Sequence, residues 1–170
     1  MSVSAKDYAA ALRGDIILMT PAGHQAIYDK LGNLREERAK LEYDLGYAAQ
    51  DYPDLRENAI YGDLSMKIQL DLPYQVDELH ASLEKARIIE GPPAGKVGLG
   101  SWLTLEQDGA EYDYQLVGPV EVRLLADETK VQLVSYLSPL GRAVWGKRTG
   151  ELAKFRVGGD ERELRVVRHD

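Results

Sequence analysis

The sequence of 170 residues contains no cysteine. That absence removes a disulfide framework, a thiolate metal site and a cysteine nucleophile together. Histidine is scarce as well: His24, His80 and His169 are the only three, and their scatter does not suit a histidine zinc motif. A single phenylalanine, Phe155, leaves little from which to build an aromatic-lined proline pocket. No stretch approaches the roughly 18–20 apolar residues that span a bilayer. The short run Ile16-Ile17-Leu18-Met19 is not long enough for the core of an export signal. The expectation is a soluble, cytoplasmic chain with no membrane partner. Positive charge is in deficit too. With 28 acidic and 21 basic side chains the formal net charge is −7. Such a surface repels a phosphate backbone, so general nucleic-acid binding is not expected.

What is present is an ordinary folding composition, 44% hydrophobic and 29% charged, enough for one domain or two small ones. The texture changes near Gly91-Pro92-Pro93-Ala94-Gly95. Before it the apolar period is helical. Thr20-Pro21 is a good helix start, because Thr caps free amides and Pro is tolerated at the first helical position. A 4-3 seam then runs through Ile27, Leu31, Leu34, Arg38, Leu41, Leu45 and Ala48. A second runs through Ile60, Leu64, Ile68, Leu72, Val76, Leu79, Leu83 and Ala86. The Pro-containing break between them, Gln50-Asp51-Tyr52-Pro53-Asp54, predicts an antiparallel helical hairpin with arms of about 45 Å. Pro73 falls inside the second arm and should kink it or remove one backbone hydrogen bond there.

After the break the period is two. Strands are expected at residues 102–106, 112–117, 120–125, 130–136, 152–157 and 163–167, with turns at Asp108-Gly109 and Gly158-Gly159-Asp160. One short helix, started by Ser138-Pro139 and ended near Gly146, interrupts them. Trp102 and Trp145 read as core, His80 as solvated. The fold class is therefore α+β: a coiled-coil hairpin followed by a small antiparallel β domain with one helix. Acidity is concentrated in the hairpin. Residues 17–90 hold 14 acidic and 8 basic side chains, residues 91–170 hold 12 and 11. Asp44, Asp51, Asp54, Glu57 and Asp63 crowd its far end.

The segment Pro53-Asp54-Leu55-Arg56-Glu57-Asn58-Ala59-Ile60-Tyr61 resembles the tip motif of the Gre transcript-cleavage factors, Gly-Asp-Leu-x-Glu-Asn-x-x-Tyr. The resemblance continues at Thr20-Pro21-Ala22-Gly23, Gly98-Leu99-Gly100-Ser101, Ser138-Pro139-Leu140-Gly141-Arg142-Ala143 and Gly146-Lys147-Arg148-Thr149-Gly150-Glu151. Only about the first 19 residues lie outside it. The resulting division is an N-terminal extension at 1–19, a hairpin at 20–90 with an acidic tip near 51–58, a linker at 91–97 and a docking domain at 98–170.

The resemblance implies an FKBP-like C-terminal domain that docks on the rim of the RNA polymerase secondary channel, with the hairpin reaching down that channel. It implies that Asp54 and Glu57 help hold a Mg2+ (or Mn2+) of the polymerase active centre and orient a water. Asp51, Tyr52, Arg56, Asn58 and Tyr61 support them, and Ser138, Pro139 and Leu140 contact the polymerase. The free chain is expected to be a monomer with no cofactor or stably bound metal of its own. It would meet nucleic acid only within the elongation complex, as an accessory factor of a bacterial polymerase and not an enzyme. The chemistry is consistent: paired metals about 4 Å apart stabilise attacking and leaving oxygens in phosphoryl displacement, and carboxylates are the ligands Mg2+ prefers.

Simpler readings stand beside these. Asp54 and Glu57 have capping-box spacing, and Ser138 with Leu140 fits a helix cap plus a core side chain. Pro53 replaces the motif's Gly and Ile60 precedes Tyr61, while Asp51-Tyr52-Pro53-Asp54 is similar to the acid-rich tip of the Gre-homologue inhibitors. Both a cleavage factor and a non-cleaving pausing factor therefore remain open. So does a coiled-coil interaction module unrelated to polymerase chemistry. An independent enzyme finds no nucleophile–base pair or phosphate loop to stand on.

Overall fold

The computed structural model describes residues 3–51, 59–127 and 129–170. By internal contact the chain divides into two compact units. One is residues 27–84; the other joins residues 1–26 to residues 85–170.

The first unit is helical. The long helix α2 (Pro21–Asp51) supplies one arm. The other is α3 (Ala59–Met66), a π-helical turn (Lys67–Asp71) and α4 (Leu72–Glu84). The arms are antiparallel. Lys67 Nζ meets Glu37 Oε1 at 2.7 Å, while Leu31 and Leu34 share a groove with the later residues Leu72, Val76 and His80. Both seams are visible in what is buried: Ile27, Leu31 and Leu34 on one arm, Ile68, Leu72 and Leu79 on the other. Each such side chain stabilises the pair by about 1.5–3 kcal/mol. Ile60, assigned to the seam by period, is 64% exposed instead, and Ala86 belongs to a strand.

Pro73 explains the π-helical turn. A proline has no N–H to donate and its ring crowds the carbonyl four residues back, here that of Gln69. The preceding turn widens, and the Leu72 N–H donates to Lys67 O, five residues back.

The second unit is a sheet with helices on it. Its five strands are β3 (Trp102–Gln107), β4 (Ala110–Val117), β5 (Gln132–Ser135), β6 (Leu152–Val157) and β7 (Asp160–His169), in the order β5-β4-β3-β7-β6. The expected turns close the two hairpins. Asp108 and Gly109 both adopt positive φ (54° and 82°), as do Gly158 and Gly159 (61° and 96°). Three pairings are antiparallel, but the edge strand β5 runs parallel to β4.

Residues 120–125, expected as a strand, form the helix α5 (Pro119–Leu125), so the unit has two short helices here, the other being α6 (Pro139–Val144). The reason is local. Pro119 presets the helical φ at the first position, and Glu121 at the third accepts a hydrogen bond from Gly118 N–H at 2.6 Å. Those two signals outweigh the alternation of Val120, Val122 and Leu124.

Residues before 20 also carry structure. Helix α1 (Ala5–Arg13) is capped by Ser4, whose Oγ accepts from Asp7 N–H, and closed by Gly14 at φ 83°. Strand β1 (Ile17–Met19) pairs in parallel with β2 (Ala86–Ile88), joining the two ends of the helical segment. The core lies under the sheet: Leu99, Leu103, Leu105, Leu116, Val144 and Val166 are essentially inaccessible, and Ala11 and Leu18 join them from the N-terminal segment.

Candidate functional site

The acidic motif of the sequence falls in the interval between the two helical arms. Helix α2 ends at Asp51 and α3 begins at Ala59. Tyr52, Asp54, Arg56, Glu57 and Asn58 lie outside the described residues, as does the capping-box reading of Asp54 and Glu57, and of Asp51 only the helical backbone is described. Tyr61 sits half-buried in the first turn of α3. Among the described residues no group of three or more acids and histidines is gathered to hold a metal ion, and no helix is long and apolar enough to cross a membrane.

The second predicted site is the start of α6. Ser138 has extended backbone (φ −68°, ψ 158°) and its Oγ accepts from Gly141 N–H at 3.0 Å. Pro139 is exposed at the first helical position, and Leu140 is half-buried against the core. Gly141 is needed by close approach: a Cβ there would lie 2.0 Å from the carbonyl oxygen of Ser135. Capping and presentation thus coexist. The cap fixes the turn, which holds Pro139 outward and Leu140 partly inward.

Behind α6 lies an aromatic layer that sequence reasoning missed. Tyr8 of α1 stacks on Trp145 with ring centroids 4.0 Å apart and planes 5° from parallel. Tyr136 meets both rings edge-on, at 6.3 and 6.1 Å. Its hydroxyl accepts from the buried Leu18 N–H at 3.2 Å, and burial raises its pKa above the usual phenol value. Trp145 is therefore core-like, as expected, whereas Trp102 is 47% exposed. Trp102 instead edges a cleft of about 450 Å3 with Thr104, Asp113 and Arg168. There the Thr104 hydroxyl donates to Asp113 Oδ1 (2.7 Å) and accepts from Arg168 Nε (2.8 Å).

The base of α2 is held by a buried acid, Glu121, which is 1% exposed. Its carboxylate accepts from Gly118 N–H at 2.6 Å and from Thr20 N–H at 2.5 Å. Thr20 is the residue before α2, so the acid lies at that helix's positive end. Burial raises the Glu121 pKa, against the lowering effect of the Gly118 and Thr20 hydrogen bonds. Gly23 lies against it: a Cβ there would fall 2.0 Å from Glu121 Oε1. This gives Thr20-Pro21-Ala22-Gly23 a physical meaning. Thr20 Oγ1 accepts from Gly23 N–H at 3.1 Å, Pro21 starts the helix, and Gly23 leaves room for the acid.

Comparison with known proteins bears on the whole chain. A family model described as "Transcription elongation factor, GreA/GreB, C-term" matches residues 92–168. Transcription elongation factor GreA of Cereibacter sphaeroides is 33% identical over 157 residues, covering 90% of this chain and 96% of its own length. The chain belongs to the GreA/GreB family. GreA of Alkalilimnicola ehrlichii is 32% identical over 156 residues, 88% of this chain and 94% of that protein. The family's relatives include a protein of opposite name: the transcription inhibitor protein Gfh1 of Thermus thermophilus is 29% identical over 156 residues, 89% and 95% of the two chains. A solved structure of the transcription factor Gfh1 covers 89% of this chain and 96% of its own at 25% identity, with a TM-score of 0.42. These relatives are named as transcription elongation factors or as a transcription inhibitor.

Proposed function

We propose that this Gre-family factor binds RNA polymerase through its sheet unit and offers the acidic residues between its two helical arms to the polymerase active centre through the secondary channel. The observation that supports it is the pairing of family membership along about nine-tenths of the chain with Asp54-Leu55-Arg56-Glu57-Asn58 in the short interval between two antiparallel arms. Ser138, Pro139 and Leu140 form the docking contact. Asp54 and Glu57 supply carboxylate oxygens, with Asp51, Tyr52, Arg56, Asn58 and Tyr61 supporting them. The chain brings no metal of its own; the polymerase's Mg2+ or Mn2+ supplies the phosphoryl-transfer chemistry. Negative charge delivered on a helical arm lets an acidic protein act on RNA without a basic binding surface. The factor works in the cytoplasm as a monomer.

The likeness to Gfh1 at nearly the same identity as to GreA, together with Pro53, supports a second reading. In it the same residues occupy the channel and slow the polymerase without promoting hydrolysis. Both readings divide labour between the two units, and that division is testable. Asp54→Ala/Glu57→Ala should abolish the effect on transcript synthesis while binding to cognate polymerase is retained; Pro139→Ala/Leu140→Ala should lose binding. Equal loss of binding in both variants would refute the division.

A further inference from the structure

Two segments of this acidic chain contain no acids. Residues 91–101 and 138–150 hold four cations, Lys96, Arg142, Lys147 and Arg148, and neither Asp nor Glu. Backbone hydrogen bonds hold the two segments together: Val97 N–H donates to Lys147 O at 2.7 Å, and Gly146 N–H donates to Val97 O at 2.8 Å. Lys96, Arg142 and Arg148 are exposed and Lys147 is half-buried. Many other described cations are neutralised, as in Arg13–Asp15, Arg87–Asp7, Lys67–Glu37 and Lys154–Glu163. Among the described residues these four make no ion pair. The nearest acid in sequence, Glu151, is engaged by the Arg148 backbone N–H at 2.9 Å. Four cations on two segments joined by backbone hydrogen bonds, none of them in an ion pair among the described residues, leave positive charge for an acidic partner to meet.

We infer that this face is the electrostatic half of the docking surface, and that Lys96, Arg142, Lys147 and Arg148 meet an acidic protein surface on the polymerase. The inference rests on the docking reading above and gives it a chemistry. Arg142 lies three residues after Pro139 on α6, so both belong to neighbouring positions on one helix. Nucleic acid fits the face less well. The whole chain carries −7, and Trp145, the aromatic ring among the cations, is stacked on Tyr8 and so not free to stack on a base.

The experiment measures association of the full chain with cognate RNA polymerase at low and high salt, about 0.05 and 0.3 M. The wild type is compared with R142E/K147E/R148E and with K154E/R156E/R162E, which changes net charge equally on another surface; circular dichroism checks the fold of each. The first variant should bind roughly tenfold or more weakly at low salt, mainly through slower association, and should lose most of the salt dependence. The second should bind as the wild type does. Unchanged binding of the first variant, while Leu140→Ala loses affinity, would overturn the acidic-partner inference and leave the docking reading intact. A wild type that fails to bind polymerase would overturn both. Tight binding to a free RNA or DNA duplex, lost in the first variant, would replace the acidic protein with a phosphate backbone.

Discussion

Glu121 is the side chain whose removal the structure prices most directly. Glu121→Ala would remove a 1%-exposed carboxylate and leave the N–H groups of buried Gly118 and half-buried Thr20 without their acceptor. Each unmet buried donor costs about 1–3 kcal/mol, and release of the buried carboxylate from its desolvation offsets part of that. A net loss of about 2–4 kcal/mol follows, equivalent to a urea midpoint lower by about 1–2 M. Glu121→Gln keeps one acceptor and turns an NH2 against the second donor, so it should lose about 1–3 kcal/mol. Trp102 and Trp145 both lie in the sheet unit, so tryptophan fluorescence during urea titration reports on it.

The pH dependence has a definite sign. Burial raises the Glu121 pKa above its ordinary 4.5, so the folded state holds this proton more tightly than the unfolded chain. Its contribution is full below 4.5 and declines as pH rises through the folded value. Because Gln does not titrate, the stability gap between wild type and Glu121→Gln should narrow as pH rises from 4.5 through the raised folded value. A loss below about 0.5 kcal/mol for Glu121→Ala, or a gap that widens with pH, would refute this account of the α2 base.

Three further outcomes are expected. Gly141→Ala should cost about 1–3 kcal/mol or more, because its Cβ meets the Ser135 carbonyl; urea unfolding of the variant measures it, and wild-type stability would remove the close-approach argument. Leu31→Asp places a charge at a site 5% exposed and should unzip the helix pair, seen as a drop in helical circular dichroism that an unchanged spectrum would contradict. Tyr8→Ala should remove the Trp145 stack, at a cost of about 1–3 kcal/mol and with altered Trp fluorescence, whereas a silent substitution would mean that α1 adds nothing to the α6 face.

The sequence disclosed the two arms, because a 4-3 seam such as Ile27, Leu31, Leu34 has one geometrical solution, and the hairpin turns, because Asp108-Gly109 and Gly158-Gly159 carry positive φ. It disclosed the Ser138 cap in the same way. It misread residues 120–125, where alternating Val and Leu mimic a strand while Pro119 and Glu121 dictate a helix. Contacts between distant segments carried no local signal. The pairing of β1 with β2, the Tyr8–Trp145 stack and the Glu121–Thr20 bond join residues about 70 to 140 positions apart. Pro73 was legible as a disturbance, but the widened turn at Lys67–Asp71 that absorbs it was not.

The central claim is that Asp54 and Glu57 act on the polymerase's own active centre. Its most direct test is RNA analysis on a backtracked elongation complex of the cognate polymerase, comparing the protein with Asp54→Ala/Glu57→Ala. The account predicts a change in the transcripts that the double variant loses: shortened 3′ ends for the cleavage reading, or slowed extension without shortening for the inhibitory one. Transcripts unaffected by the protein, or affected equally by the double variant, would contradict it.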